Sequence, residues 1–159
     1  MGRRAARETA LQMLFQMDVG QNDWQMTELT LAEAGLSDVN ADFALSLVKG
    51  AWDNLTEIDR LIETYAKEWN IKRLANVDKN ILRLAVYELK FINEVPYNVV
   101  INEAIELAKN FSTEDSGAFV NGVLDTILNQ EVKKVQAKPE DGQAPAQKNA
   151  QAESGLTTE

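Results

Sequence analysis

The sequence contains no cysteine and no histidine. Their absence excludes disulfide bonds and thiolate nucleophiles, and it removes the usual ligands of zinc and haem. It also removes the side chain that most often acts as a general base near neutral pH. We therefore expect a cytoplasmic protein that has no catalytic activity, no cofactor and no metal.

Long apolar segments are also missing from the sequence. No run of eighteen apolar residues occurs, so no membrane-spanning helix is expected. Glu8, Gln12 and Gln16 follow the first arginines and interrupt the apolar region that a secretory signal needs.

The last part of the sequence differs in composition from the rest. Residues 131–159 have little aliphatic content, no aromatic residue and two of the three prolines. Such a segment cannot bury enough surface to offset the entropy of ordering, so it is predicted to be a disordered, low-complexity tail. It holds four lysines and five acidic residues, so nearly all of the net charge of −9 belongs to residues 1–130. We expect these 130 residues to form the folded domain.

Residues 1–130 show apolar side chains at helical spacing, and no segment clearly predicts a strand. About seven helices are predicted. The first two helices cover 3–19 and 24–34. The third begins at about 40, a break is expected between 50 and 57, and the fourth helix follows it and ends near 69. The last three cover 77–91, 98–111 and 115–129. The segment ILRLAVYEL in the fifth is apolar almost all round, which predicts a buried central helix. The fold class is therefore all-α.

The densest positive charge lies at the start of the chain, where Arg3, Arg4 and Arg7 fall within seven residues. On a helix these arginines continue the apolar stripe that contains Leu11 and Leu14. A core cannot accept three unpaired guanidinium groups. The first two turns are therefore expected to extend beyond the edge of the core.

Two interpretations of this cluster remain open. In one, the arginines are solvated or pair with acidic groups of the same protein; Glu8 is a local partner for Arg4 alone. In the other, they form a phosphate-binding edge at the start of a helix. Three phosphate contacts would give a salt slope of about −2 on single-stranded RNA, which is weak binding. Base contacts or a second protein would then be needed.

The chain resembles the NusB family of bacterial transcription antitermination factors in four motifs: RRAAR at 3–7, ILRLAVYEL at 81–89, VPYNVVINEAIELAK at 95–109 and DSGAFVNGVLD at 115–125. The resemblance covers about residues 3–130 and implies a helical bundle in two small subdomains. It also implies binding to the single-stranded boxA element of ribosomal RNA leader transcripts, together with NusE, a small-subunit ribosomal protein. That complex joins the elongating RNA polymerase, and family members are monomers or homodimers.

The resemblance assigns RNA contact to six residues at two helix starts: Arg3, Arg4, Arg7, Asp115, Ser116 and Phe119. Phe119 would stack on a base, and Asp115 would accept a hydrogen bond from a base amino group. Both have structural alternatives, because Phe119 also fits the core and Asp115 can help to cap its helix.

The resemblance assigns the NusE interface to Phe15 and Asp78, and an acidic protein suits a basic ribosomal partner. Gly117 and Ala118 stand where many relatives have a basic side chain, which predicts a weaker RNA surface here.

Other polar and small residues are given structural roles. Glu103 and Glu106 are interpreted as a solvated face, since carboxylate metal sites usually need Glu-x-x-His pairs. Gly122 is expected to allow close helix packing. The alternative function is a helical protein–protein adaptor that binds no nucleic acid. NusB-like domains also occur attached to RNA methyltransferases, but this chain has no room for a catalytic domain.

Overall fold

A computed structural model describes residues 2–20, 24–66 and 74–133. These residues form seven α-helices: α1 Arg3–Val19, α2 Trp24–Glu33, α3 Asp38–Asp53, α4 Leu55–Tyr65, α5 Asn76–Phe91, α6 Tyr97–Phe111 and α7 Glu114–Ile127. A π-helical turn, Leu128–Val132, continues α7. The described residues include no strand, and the all-α prediction is confirmed.

Local sequence accounts for several helix ends. α3 follows Ser37, whose hydroxyl accepts a hydrogen bond from the amide of Asn40 at 3.2 Å. α7 follows Thr113, whose hydroxyl accepts from the amide of Ser116 at 3.0 Å. Such caps satisfy amides that have no partner inside the helix. After α2, Gly35 has a φ of 72° and supplies the left-handed backbone that ends the helix.

α5 lies at the centre of the core, as its nearly continuous apolar sequence predicts. It contacts α1, α3, α4, α6 and α7. Its fully buried apolar side chains are Ile81, Leu82, Val86 and Leu89. Burying one such side chain contributes about 1.5–3 kcal/mol, so this helix supplies a large share of the hydrophobic stabilisation.

Three polar residues of α5, Asn80, Arg83 and Glu88, are buried as well, and each is hydrogen-bonded. Arg83 donates from Nε and Nη2 to the two carboxylate oxygens of Asp59 in α4, both at 2.8 Å, and lies 3.3 Å from Asp18 of α1. Lys79 contacts the same Asp18 at 3.1 Å. Burial alone would raise the pKa of Asp18, but hydrogen bonds from Lys79 and Asn80 and the charge of Arg83 lower it below its ordinary value of 3.8. This network joins α1 and α4 to the central helix.

The helices pack in two groups that share α5. α1, α2 and α3 contact one another, while α4 and α6 each contact α7; α5 contacts members of both groups. One continuous hydrophobic core runs through both groups. The predicted bundle of two small helical parts corresponds to this arrangement.

Some helix bounds differ from the predicted ones. The chain remains helical to Val132, two residues beyond the predicted domain limit, because Val132 is only 1% exposed and packs in the core. The predicted end of the fourth helix near Trp69 lies outside the described residues, and so do residues 134–159 of the predicted tail.

Two glycines in helices differ from what the sequence predicted. α3 continues through Gly50 to Asp53, because Gly50 leaves room for the Tyr87 ring, which a Cβ at that position would overlap. Gly122 was expected to allow close packing, but no atom lies within 4 Å of the position of its missing Cβ. That expectation is wrong, because Gly122 is on an exposed part of α7.

Candidate nucleic-acid interface

Arg7 lies inside the protein, although the sequence predicted that the whole arginine cluster extends beyond the core. Its side chain is 6% exposed, and its Nε and Nη2 donate to the two carboxylate oxygens of Glu88 at 2.9 and 2.8 Å. Glu88 belongs to α5, and its side chain is 3% exposed. The expectation is wrong for Arg7, because a buried carboxylate pairs with its charge and makes burial tolerable.

Arg4 is on the surface and pairs with an acidic residue of α6. Its side chain is 56% exposed, and its Nε and Nη2 donate to Oε1 and Oε2 of Glu103 at 3.0 and 2.8 Å. The hydrogen bond from Arg4 lowers the pKa of Glu103, and partial burial opposes this only in part. The same hydrogen bond raises the pKa of Arg4. Among the described residues, Nη1 of Arg4 has no hydrogen-bond partner, so one edge of this guanidinium is open.

The pairing of Glu103 corrects two expectations. Glu103 does not belong to a solvated face, since its side chain is 18% exposed and accepts two hydrogen bonds from Arg4. Arg4 does not pair with its local candidate Glu8, because Glu103 offers both carboxylate oxygens to the guanidinium edge.

Arg3 has an aromatic partner instead of a carboxylate. Its guanidinium carbon lies 3.9 Å from the centroid of the Phe43 ring in α3, which is a cation–π contact. The guanidinium carbon of Arg7 lies 5.2 Å from the same centroid. Arg3 forms no ion pair with any described residue, so no carboxylate in that part of the chain neutralises its charge.

Ser116, at the start of α7, is bound within the protein. It is 7% exposed, and its hydroxyl donates to Oδ2 of Asp78 in α5 at 2.9 Å. The hydroxyl also lies 3.0 Å from that of Thr113, which caps α7. A residue expected to contact RNA and a residue expected to contact NusE are therefore directly hydrogen-bonded. Oδ1 of the same Asp78 is buried without a hydrogen-bond partner among the described residues.

The other residues at the start of α7 are more accessible. Asp115 is exposed, and Phe119, one turn later, is half-buried against the core. Between them, Gly117 packs on α6, where Cγ of Lys109 lies 3.3 Å from the position of a Cβ on Gly117. Lys109 is exposed, so it places a positive charge beside the two positions, Gly117 and Ala118, that carry none.

α6 lies between the arginines and the start of α7. Glu103 faces α1, where it binds Arg4, and Ile105 faces α7, where its Cγ2 lies 3.5 Å from the position that a Cβ on Gly117 would take. At 100° per residue these two positions are about 200° apart on the helix.

A separate apolar groove of about 550 Å³ runs beside α1. Its apolar lining includes Leu11, Phe15, Leu36, Val77 and Phe111. Phe111 is 50% exposed, and Phe15 also borders a second pocket with Val19 and Met26, which are 49% and 54% exposed. Large apolar side chains exposed together beside a groove are a feature of interaction surfaces. Of the two residues predicted to contact NusE, Phe15 lines this groove, whereas the Asp78 side chain binds Ser116 of α7.

Three residues that shape this surface were not predicted: Phe43, Glu88 and Glu103. Glu88 had a signal, since a charged residue inside an otherwise apolar helical segment predicts a buried partner. The sequence gives no signal for a role of Phe43 or Glu103 at this surface, because neither residue breaks the pattern of apolar and polar positions in its helix.

Two other kinds of site find no support in the part of the chain that is described. Its acidic side chains form no group of three or more that could hold a metal ion. Its helices include none with the length and apolar character needed to cross a membrane.

Comparison with known proteins gives a consistent result. The model of the NusB family matches residues 4–129. The transcription antitermination protein NusB of Pelotomaculum thermopropionicum is 48% identical over 130 residues, which cover 80% of this chain and 90% of that protein. The solved structure of T. maritima NusB has 40% identity and a TM-score of 0.78, and the match covers 84% of this chain and 95% of that chain. A crystal structure of the antitermination factors NusB and NusE in complex with dsRNA contains a chain with 33% identity and a TM-score of 0.73. The match covers 80% of this chain and 96% of that chain.

Proposed function

The chain belongs to the NusB family of transcription antitermination proteins, and we propose that it binds single-stranded boxA-type RNA of ribosomal RNA leader transcripts together with NusE. The solved complex of NusB and NusE with dsRNA supports both kinds of partner, because its matching chain is 33% identical to this one. The proposed complex joins the elongating RNA polymerase in the cytoplasm, with this chain as a monomer or a homodimer.

The exposure of Arg3 and Arg4 on the first turn of α1 is the observation that carries the RNA proposal. Each guanidinium is held by one neighbour and keeps N–H groups that no described residue uses. Such N–H groups bind phosphate oxygens well. The first turn of α1 has no acidic residue and no side-chain cap, so its free amides add to the positive potential.

Arg7 supports the same surface in an indirect role. Its donors bind Glu88 inside the protein, so it fixes the start of α1 against α5 and does not face the solvent. Arg7 therefore contributes to RNA binding by holding Arg3 and Arg4 in place.

The start of α7 supplies the base contacts. Asp115 is exposed and accepts a hydrogen bond from a base amino group, which a phosphate does not offer. Phe119 offers the exposed part of its ring for stacking on a base. Ser116 holds the turn in place through Asp78. Lys109 adds a phosphate contact where Gly117 and Ala118 cannot.

The groove beside α1 is the proposed NusE-binding surface. Phe15 and Phe111 supply apolar area, and Glu8 supplies a negative charge at the groove. The net charge of −9 on the chain is complementary to a basic ribosomal protein. The contact of Asp78 with NusE stays a prediction, because its Oδ1 is buried and its Oδ2 accepts a hydrogen bond from Ser116.

A protein–protein adaptor that binds no nucleic acid is the second candidate function. The ion pairs of Arg4 with Glu103 and of Arg7 with Glu88 favour it, because a paired arginine has less net charge to offer a phosphate. The groove is compatible with either function.

A titration of labelled boxA RNA, followed by fluorescence anisotropy with and without NusE, distinguishes the two functions. Arg3→Ala and Arg4→Ala should each weaken binding several-fold and reduce the size of the salt slope by about 0.7, the value for one phosphate contact on a single strand. Arg60→Ala is the matched control, because Arg60 is an exposed arginine on the distant helix α4. Phe15→Ala should leave binding to RNA alone unchanged and remove the enhancement by NusE.

Equal affinities of Arg3→Ala, Arg4→Ala and Arg60→Ala would contradict the RNA assignment. If NusE still bound in that case, the adaptor function would be the correct one. Stronger binding of a duplex competitor than of the single strand would contradict the proposed RNA form.

A further inference from the structure

We propose that Phe43 is a positioning residue for RNA binding, which holds the Arg3 guanidinium against its ring so that the N–H groups of Arg3 meet a phosphate. The proposal rests on the RNA-binding function proposed above. It adds a residue from α3, which lies outside the four motifs that resemble the NusB family.

The contact with Phe43 leaves the phosphate-binding groups of Arg3 free. The guanidinium carbon lies over the ring, 3.9 Å from its centroid, so Arg3 contacts the aromatic face. The five N–H groups of a guanidinium lie in its plane and point outward from its edge. A carboxylate partner, as at Arg4, occupies two of these groups and also cancels the charge. Phe43 holds Arg3 without using its N–H groups and without cancelling its charge.

Phe43 is itself held firmly enough to act in this way. Its ring is half-buried and packs against the core, and the adjacent Ala44 is fully buried. Arg7, fixed by its two hydrogen bonds to Glu88, has its guanidinium carbon 5.2 Å from the ring centroid. The ring therefore connects the buried arginine to the exposed one.

Holding Arg3 before RNA arrives increases affinity. A free arginine side chain loses much rotamer freedom when it binds a ligand, and a contact that orders it beforehand lowers that loss. The effect matters most at Arg3, since no described carboxylate neutralises its charge.

A double-mutant cycle between Phe43 and Arg3 tests the proposal. Phe43→Leu keeps an apolar side chain but removes the aromatic face, and Phe43→Tyr keeps both. Affinity for labelled boxA RNA is measured for each variant in the wild-type and Arg3→Ala backgrounds, with thermal unfolding of the same samples. We expect Phe43→Leu to weaken binding about two- to tenfold, Phe43→Tyr to bind like the wild type, and Phe43→Leu to have no further effect in Arg3→Ala.

Two results would overturn the positioning role while RNA binding itself stands. One is wild-type affinity in Phe43→Leu; the other is an equal loss in both backgrounds, which indicates a structural effect unrelated to Arg3. Absence of RNA binding by the wild type would overturn the proposed function and this inference together. If Phe43→Leu does not fold, Phe43→Met makes the same test, because methionine also lacks an aromatic face.

Discussion

Arg7 and Glu88, 81 residues apart in the chain, form a buried ion pair with two hydrogen bonds. The pair joins the first helix to the central helix one turn after Arg3 and Arg4. Removing two charges from water costs several kcal/mol, so such a pair fixes geometry more than it adds net stability. This position supports the proposed indirect role of Arg7, which is to hold the start of α1 that carries the exposed arginines.

Replacing one member of this pair should destabilise the fold strongly. Arg7→Met leaves the Glu88 carboxylate buried without this partner, and we expect the free energy of unfolding in denaturant to fall by about 3–5 kcal/mol. The double variant Arg7→Met/Glu88→Leu removes both charges and should regain most of the loss. If Arg7 acts indirectly, the double variant also keeps the salt slope of RNA binding. A slope reduced by about 0.7 would instead show a direct phosphate contact.

Much of the helical architecture could be predicted because its signals are local. α1 has the predicted bounds, and α5 has the predicted central position, since apolar spacing and helix-ending residues determine both. Gly35 ends α2 with a left-handed backbone, as a glycine at that position predicts.

The side-chain contacts of the candidate interface could not be predicted in the same way. Arg4 contacts Glu103, 99 residues later in the chain, and Arg7 contacts Glu88. In an acidic sequence every arginine has many possible partners, and only the positions of α5 and α6 relative to α1 in the fold select these two. Periodicity shows which face of a helix is apolar, but it does not show which helix packs there.

The stability of the protein should fall in acid because of two carboxylates with lowered pKa values. The pKa of Asp18 is lowered from 3.8 and that of Glu103 from 4.5. Their stabilising contribution is fully present above the unfolded-state values and is lost as pH falls through the folded-state values. When the free energy of unfolding is measured from pH 7 to pH 2, it should therefore begin to decrease once the pH is below about 4.5.

Substitution shows whether these carboxylates cause the drop. Asp18→Asn and Glu103→Gln should each give a flatter dependence of unfolding free energy on pH in the acid range. Asp53→Asn is the control, at an exposed carboxylate that forms no ion pair within the described residues. Curves of the same shape for Asp18→Asn and the wild type would contradict the role of the Asp18 network.

The folded domain should not need the last segment of the chain. Residues 135–159 have the composition of a disordered segment, and we propose that their deletion leaves the melting temperature unchanged within error. Deletion of 128–159 is the matched comparison, because it also removes Leu128 and Val132, which are 5% and 1% exposed. This longer deletion should lower the melting temperature markedly. A large drop for the shorter deletion would show that residues 135–159 take part in the fold.

Two helical glycines should respond in opposite ways to alanine. At Gly122 a Cβ meets no atom within 4 Å, so Gly122→Ala should stabilise the protein by about 0.5–1 kcal/mol through helix propensity alone. At Gly50 a Cβ overlaps the ring of Tyr87, which stacks on Phe91 with centroids 5.4 Å apart. Forcing extra volume into such a contact costs about 1–3 kcal/mol, so the overlap outweighs the gain in propensity and Gly50→Ala should destabilise.

The Tyr87 ring is the reason for that difference, and a second substitution isolates it. In a Tyr87→Ala background the obstacle is gone, so Gly50→Ala should become stabilising, as Gly122→Ala is. Denaturant unfolding of the four proteins in this cycle measures the coupling between the two positions. If Gly50→Ala stabilised the protein with Tyr87 present, the ring would not be held against α3. Gly50 would then only lower the stability of α3, and it would not be needed for the close packing of α5 on α3.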